Sequence, residues 1–116
     1  MIEINNLDFG YKTQPVFKNI SLAFEKGNIY GLLGENGVGK TSLLKLISGL
    51  QKPTAGTCTV DGVAAFNRWP ETLQKIFFIS EDFAIPEGTP INNVRELGVF
   101  YPNFDESLFH ELCKEM

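Results

Sequence analysis

The spacing of hydrophobic side chains predicts strands in the first third of this chain and helices towards its end. Apolar and polar residues alternate over Met1–Leu7 and, more loosely, over Val16–Phe24, which is the pattern of strands. Asn28–Leu33 is a short apolar run of strand length, and the uninterrupted run Ile76–Ile79 is typical of a central strand buried on both faces. A further strand over Thr57–Val60 is predicted to end at an Asp-Gly turn.

Helical spacing begins some ten residues after the apolar run Asn28–Leu33. Apolar residues there occupy positions 43, 46, 47 and 50. Gly49 stands where the C-terminus of a helix favours glycine, and Pro53 prevents continuation. A short helix is predicted to open at Pro70. Residues 9–15, which contain glycine and proline, are predicted to form a turn or loop.

Two more helices are predicted in the last quarter of the chain. Thr89 and Pro90 have the residue types preferred at an N-cap and a first helical position, and the helix they open is predicted to end near Gly98. Asp105 is predicted to cap a final helix, on which the single histidine, His110, is expected to lie at the surface. The pattern as a whole predicts an α/β fold.

Composition narrows the class of protein. The chain has 116 residues, of which 43% are hydrophobic and 21% charged, so one globular domain is expected. The net charge of −4 argues against a nucleic-acid partner, and the basic excess falls within residues 1–58. Two cysteines without paired spacing are expected to be free thiols in a reducing compartment. Neither a signal peptide nor a membrane-spanning run is recognisable, so a cytoplasmic location is expected.

One motif carries clear chemistry. Gly34–Thr41 fits the phosphate-loop pattern G-x-x-x-x-G-K-[ST], with a predicted strand before it and a predicted helix after it. Its glycines permit positive φ, so that consecutive backbone N–H groups can surround a phosphate. The helix adds its positive N-terminal end. Lys40 supplies a full charge for the β- and γ-phosphates, and the Thr41 hydroxyl is a ligand for Mg²⁺.

Through these residues and those around them, the chain resembles the ATP-binding subunit of an ATP-binding-cassette (ABC) transporter. The similarity is strongest over residues 7–62, through Gly10-Tyr11, the phosphate loop and Pro53–Gly56. The segment Tyr101–Asp105 is similar to the helical subdomain of exporter-type cassettes of the ABC-2 class. The resemblance implies a P-loop NTPase fold of the ABC ATPase type, with an N-terminal antiparallel β region and the start of a helical subdomain. We place the boundary between the P-loop core, 1–88, and that subdomain, 89–116.

The resemblance also implies roles for individual residues. Tyr11 would stack on the adenine ring of ATP, although a loop tyrosine packing on its own domain is the plainer alternative. Ser42 would contact the α-phosphate, and backbone amides from Asn36 to Thr41 would surround the β-phosphate. The implied nucleotide-binding set is Tyr11, Gly34, Glu35, Asn36, Gly37, Val38, Gly39, Lys40, Thr41 and Ser42.

The chain departs from the family pattern in two ways. The family places a glutamine near Mg²⁺ after the strand corresponding to 76–79, and here Glu81 stands there, either as a metal ligand beside Thr41 or as a solvated acid. The Ser-Gly-Gly signature, the Asp-Glu strand and the switch histidine are not found. We therefore expect the N-terminal part of a longer cassette, which does not hydrolyse ATP by itself.

Three functions remain open from the sequence. The resemblance implies a subunit that couples ATP to transport, held at the inner face of the membrane by a permease and working with a second ABC ATPase subunit. A small P-loop kinase is the enzymatic alternative, disfavoured by the two strands that precede the phosphate loop. A non-transport ABC-type ATPase or a binding module without catalysis is the third.

Overall fold

The computed structural model describes residues 1–34, 39–80 and 87–115, which fall into two compact units, Met1–Phe78 and Ile79–Met116. The first unit contains a four-stranded antiparallel sheet of order β2-β1-β3-β4. Its strands are β1 (Ile2–Tyr11), β2 (Gln14–Phe24), β3 (Ala55–Val60) and β4 (Val63–Ala64). Its helices are α1 (Lys40–Ile47), a 3₁₀ turn (Ala65–Asn67) and α2 (Pro70–Leu73), whereas the second unit holds α3 (Pro90–Gly98) and α4 (Glu106–Glu115).

The β1–β2 hairpin is longer and tighter than the sequence predicted. Tyr11 pairs with Gln14, so only Lys12 and Thr13 form the turn. The predicted loop over residues 9–15 is therefore wrong, because both strands continue through most of it. Lys12 has a φ of 48°, a conformation usually supplied by glycine or asparagine in such turns. A lysine there gives no turn signal in the sequence.

A β-bulge in this hairpin decides which side chains of β1 enter the core. The register shifts between Ile4 and Leu7, where Asn6 has a φ of 47° and donates a hydrogen bond of 2.9 Å from its side chain to that of Asn19. An extra residue reverses the alternation of side chains. Ile4 and Leu7 are therefore both fully buried on one face, although three positions separate them.

The core of the first unit lies where α1 contacts the sheet. The buried apolar residues come from β1 and β3 on one side and from α1 on the other, with one alanine from the 3₁₀ turn: Ile4, Leu7, Phe9, Leu43, Leu46, Cys58, Val60 and Ala65. Burial raises the pKa of the Cys58 thiol to about 11, so this residue behaves as a small apolar side chain. Both cysteines are free, as predicted.

The helix predicted after residue 41 is confirmed, together with its C-terminal cap. Gly49 has a φ of 76°, and its N–H donates to the carbonyl of Leu46. The Leu50 N–H donates to the carbonyl of Lys45 at 2.8 Å. This pair of bonds is a Schellman motif, which satisfies carbonyls that the end of the helix would otherwise leave unpaired.

Two segments predicted as strands are not strands. Residues 28–34 and 76–80 have no regular secondary structure, and Ile29 and Leu33 are almost completely exposed, at 102% and 96%. Only Leu32 and Ile76 of the predicted apolar runs pack against the core. Apolar composition shows that a segment can occupy a sheet interior, but a parallel strand also needs neighbouring strands to pair with.

The carboxylate of Asp61 contacts three cationic groups from different parts of the first unit. Asp61, in the predicted Asp-Gly turn after β3, accepts hydrogen bonds from the N-terminal ammonium group at 2.5 Å and from Lys75 Nζ at 2.9 Å. Lys26 Nζ lies 3.5 Å from the same carboxylate. The hydrogen bond from the N-terminus, followed by that from Lys75, holds the pKa of Asp61 well below its ordinary range.

The second unit consists of two capped helices, as predicted. The Thr89 hydroxyl accepts from the Asn92 N–H at 3.3 Å, and Asp105 Oδ1 accepts from the Leu108 N–H at 3.1 Å. Arg95 donates to Glu106 Oε1 through Nε and a terminal nitrogen, linking the two helices. The side chain of His110 is exposed, as expected, and lies 3.6 Å from the same carboxylate oxygen.

No helix within the described ranges is long and apolar enough to cross a lipid bilayer.

Substitution of Leu46 tests the packing of α1 on the sheet. Leu46→Ala should lower the free energy of unfolding by about 2–5 kcal/mol, because it leaves a cavity at a residue that is 1% exposed. Leu44→Ala, on the exposed face of the same helix, should change it by less than about 1 kcal/mol. Urea unfolding monitored through the only tryptophan, Trp69, measures both. Equal losses would contradict the placement of this core.

The Asp61 cluster predicts a pH dependence of stability. The folded state lowers the pKa of Asp61, so its stabilising contribution is complete above the unfolded-state pKa of about 3.9 and is lost as the pH falls below it. Asp61→Asn should therefore have a lower urea midpoint than wild type at pH 7. The difference should shrink as the pH falls below about 4.

The control is Glu71→Gln, which removes an exposed carboxylate of α2. Its urea midpoint should follow wild type at each pH. A difference between Asp61→Asn and wild type that is the same at pH 7 and at pH 3 would contradict the ionic role of Asp61.

Candidate functional site

The N-terminus of α1 is the centre of the candidate site. Gly39 is the N-cap, with a φ of 99°, and Lys40 is the first helical residue. The first turn contains no acidic residue that would neutralise the positive end of the helix dipole. Four predicted site residues in the middle of the loop lie outside the described residues: Glu35, Asn36, Gly37 and Val38.

The hairpin packs directly against this end of the helix. A Cβ atom at Gly39 would lie 2.7 Å from Cγ1 of Val16 and 2.9 Å from Cζ of Phe17, closer than two non-bonded carbon atoms can approach. Glycine is therefore required at position 39 both for its φ and for the space that β2 occupies. Val16 and Phe17 thus fix the junction between loop and helix, a role that their strand pattern did not reveal.

Tyr11 lies beside the first turn of α1. Its hydroxyl is 3.1 Å from Oγ of Ser42, and either group can be the donor. Phe9, which is buried, meets the Tyr11 ring at 81° with 5.0 Å between the ring centroids. Tyr11 nevertheless remains 45% exposed, which leaves ring surface available for a flat ligand.

The side chain of Lys40 reaches the first residue of the motif. Its ammonium group donates a short hydrogen bond of 2.5 Å to the backbone carbonyl of Gly34. A cation can exchange a bond to a neutral carbonyl for a stronger one to an anion. Thr41, the next residue in the first turn of α1, is exposed.

Six of the predicted site residues therefore lie along one short stretch of the first unit, where the end of β1 meets the start of α1: Tyr11, Gly34, Gly39, Lys40, Thr41 and Ser42. Glu81, predicted beside the metal, lies outside the described residues. Within those residues no cluster of three or more His, Cys, Asp or Glu side chains could hold a metal ion. The geometry suits an anion at the helix end and a flat ring against Tyr11.

The far end of α1 is held by a residue that the sequence did not single out. Arg68, whose φ is 53°, donates a hydrogen bond of 3.1 Å from its guanidinium to the carbonyl of Ser48. A cation near the C-terminus of a helix complements the negative end of its dipole. Arg68 and the cap at Gly49 thus satisfy carbonyls at the C-terminal end of the helix.

Comparison with known sequences identifies the family. The profile described as ABC transporter matches residues 17–113, which is most of the chain. The chain belongs to the ABC transporter family. The family that the resemblance suggested is thereby confirmed.

Curated members of this ABC transporter family extend the comparison. ABC transporter ATP-binding protein YtrB of Bacillus subtilis (strain 168) is 36% identical over 113 residues, which cover 97% of this chain and 38% of YtrB. The uncharacterized ABC transporter ATP-binding protein YybJ of the same organism is 55% identical over 62 residues, 53% of this chain and 28% of YybJ.

Solved structures support the same ABC ATPase fold. An ATP-binding subunit of an ABC transporter matches with a TM-score of 0.77 over 95% of this chain and 46% of its own, and at 23% identity it shows the fold alone. A putative ABC transporter ATP-binding protein from Pyrococcus furiosus has a TM-score of 0.71 at 35% identity, over 86% and 48%. The α/β fold class predicted from sequence is confirmed. The chain spans less than half the length of each of these relatives.

Gly39→Ala tests the contact between the hairpin and α1. It should lower the free energy of unfolding by about 2–4 kcal/mol, since positive φ costs an alanine about 1–2 kcal/mol and overlap with Val16 adds to that. Gly27→Ala is the matched control, because Gly27 has a φ of 80° but no atom within 4 Å of its Cβ position. In urea unfolding, Gly27→Ala should lose only the free energy that positive φ costs an alanine. Equal losses in the two variants would show that β2 does not pack closely against Gly39.

Proposed function

We propose that these residues bind MgATP where the end of β1 meets the N-terminus of α1. The observation that carries the proposal is the 3.1 Å contact between Tyr11 and Ser42. It brings an exposed aromatic ring, 31 positions away in sequence, to the first turn of the helix that follows the phosphate loop. A nucleotide has the same two parts, a flat base and an anionic chain, joined within a few ångströms.

Each described residue has a part in this proposal. Tyr11 stacks on the adenine ring, an interaction worth about 1–3 kcal/mol, while an edge-to-face contact with Phe9 holds the Tyr11 ring in place. Ser42 contacts the α-phosphate. Backbone amides of the loop and of the first helical turn surround the β-phosphate, where the dipole of α1 favours negative charge. The loop residues proposed to contribute are Gly34, Glu35, Asn36, Gly37, Val38, Gly39, Lys40 and Thr41.

Lys40 supplies the largest single attraction for the phosphates. Among the residues that the structure describes, its ammonium group bonds a neutral carbonyl, that of Gly34. Binding exchanges this contact for charge-assisted bonds to the β- and γ-phosphates, each worth about 1.5–3 kcal/mol. The exchange favours nucleotides that carry at least two phosphates over those that carry one.

The Thr41 hydroxyl is the proposed protein ligand of Mg²⁺. A bound Mg²⁺ neutralises phosphate charge and takes most of its oxygen ligands from phosphates and water, so it needs few from protein. The absence of an acidic cluster among the described residues is compatible with this, because hydroxyl and phosphate oxygens suffice. Glu81 is proposed as a second ligand on sequence grounds alone.

For the whole protein we propose the ATP-binding subunit of an ABC transporter, in which ATP drives a membrane permease between two states. Its partners are then that permease and a second ABC ATPase subunit, and its place is the cytoplasmic face of the membrane. The relatives named as ATP-binding proteins support this, and the two strands before the phosphate loop favour it over a kinase. The exporter-type subclass suggested by Tyr101–Asp105 stays a prediction.

Lys40→Ala tests the site. Wild type should gain about 2.7 kcal/mol of stability with MgATP at about 100 times its Kd, seen as a higher melting temperature. Lys40→Ala should show no such rise and no heat of binding in calorimetry, because it lacks the cation that contacts the phosphates.

The control is Lys45→Ala, which removes a lysine from the last turn of the same helix and should bind as wild type does. Unchanged MgATP affinity in Lys40→Ala, or a folded wild type that does not respond to MgATP, would refute the proposed site.

A further inference from the structure

The hydrogen bond between Tyr11 and Ser42 joins the two ends of the proposed nucleotide site through a pair of hydroxyl groups. Resting on the proposed function, we propose that the Tyr11 hydroxyl orients the Ser42 hydroxyl as a donor to the α-phosphate. Tyr11 is then a positioning residue through its oxygen, besides being a stacking platform through its ring. Neither the phosphate-loop motif nor an aromatic stacking role requires this hydroxyl.

The position of Ser42 places a second hydroxyl, besides that of Thr41, at the helix end where an anion would bind. Ser42 lies in the first turn of α1, where side chains tilt back towards the helix N-terminus. Ser42 is 8% exposed as a residue, and the hydrogen bond of its hydroxyl is partly buried. Hydroxyl groups shielded from water are usually hydrogen-bonded, and the partner here is Tyr11, at 3.1 Å.

The proton count fixes the direction of this bond once nucleotide is present. In the structure alone either hydroxyl can donate to the other. An ionised α-phosphate only accepts, so Ser42 must give it its single hydrogen and can then meet Tyr11 only through a lone pair. Tyr11 must therefore be the donor. The result is a chain in which Tyr11 donates to Ser42 and Ser42 donates to the phosphate, each bond strengthening the next.

The size of the effect follows from comparing the free and bound states. The Tyr11–Ser42 bond exists before the nucleotide arrives, so only its strengthening and its fixed direction add to affinity. We therefore expect a modest loss of about two- to fivefold when the hydroxyl is removed, less than for a whole neutral hydrogen bond. If the bond were instead a contact that must break to admit nucleotide, its removal would tighten binding. The sign of the change separates these cases.

The experiment is a double-mutant cycle in calorimetry with MgATP and, by competition, with adenosine. Tyr11→Phe keeps the ring and its contact with Phe9 but lacks the hydroxyl. It should bind MgATP about two- to fivefold more weakly than wild type and adenosine equally well, because adenosine has no phosphate for Ser42. Ser42→Ala should weaken MgATP binding further, and adding Tyr11→Phe to it should cause little additional loss.

Tyr30→Phe is the matched control. Tyr30 is 46% exposed, meets Phe24 edge-on at 5.0 Å, and accepts a hydrogen bond of 2.9 Å from the Glu25 N–H. It therefore matches Tyr11 in exposure and in its edge-on contact with a phenylalanine, but its hydroxyl bonds residues 25 and 28 rather than α1. Its substitution should leave both affinities unchanged.

Three results would overturn the positioning role while leaving the nucleotide site intact. These are unchanged or tighter MgATP binding by Tyr11→Phe, an equal loss for adenosine, and additive losses in the double mutant. Failure of the folded wild type to bind MgATP would instead overturn the proposed function, and the positioning role with it.

Discussion

At the junction of the β1–β2 hairpin and α1, the absent side chain of Gly39 lets Val16 and Phe17 pack against the backbone where the helix begins. This close approach holds the hairpin against the phosphate-loop helix, and the Tyr11–Ser42 bond secures the same junction from β1. The candidate site lies at this contact, and the proposed nucleotide site requires it, because the aromatic ring of Tyr11 must lie next to the end of the helix.

The two ends of α1 differ in the side chains that lie near their backbone groups. Leu43 and Leu46 bury one face against the sheet, which fixes the axis of the helix. Its last carbonyls are satisfied by the turn at Gly49 and by Arg68. Its first N–H groups have no acidic side chain near them in the first turn, so they and the helix dipole are available to an anion.

Polar contacts stabilise the sheet that carries Tyr11. In the middle of β1, the paired asparagines of the bulge let Ile4 and Leu7 share one face, which packs β1 on the core. At the turn after β3, Asp61 bonds the N-terminus and Lys75. These contacts hold the sheet and α1 together in a chain that belongs to the ABC transporter family.

The sequence by itself determined what is encoded over a few neighbouring residues: the phosphate-loop motif, α1 with its glycine cap, the Asp-Gly turn and the caps of α3 and α4. Each depends on local geometry. Only the tertiary structure decided the bulge at Asn6, the packing of Val16 and Phe17 on Gly39, and the Tyr11–Ser42 bond, because these join positions distant in sequence. The apolar runs at 28–33 and 76–79 were predicted as strands and are not strands. Strand formation depends on pairing with neighbouring strands, which the composition of a single run does not reveal.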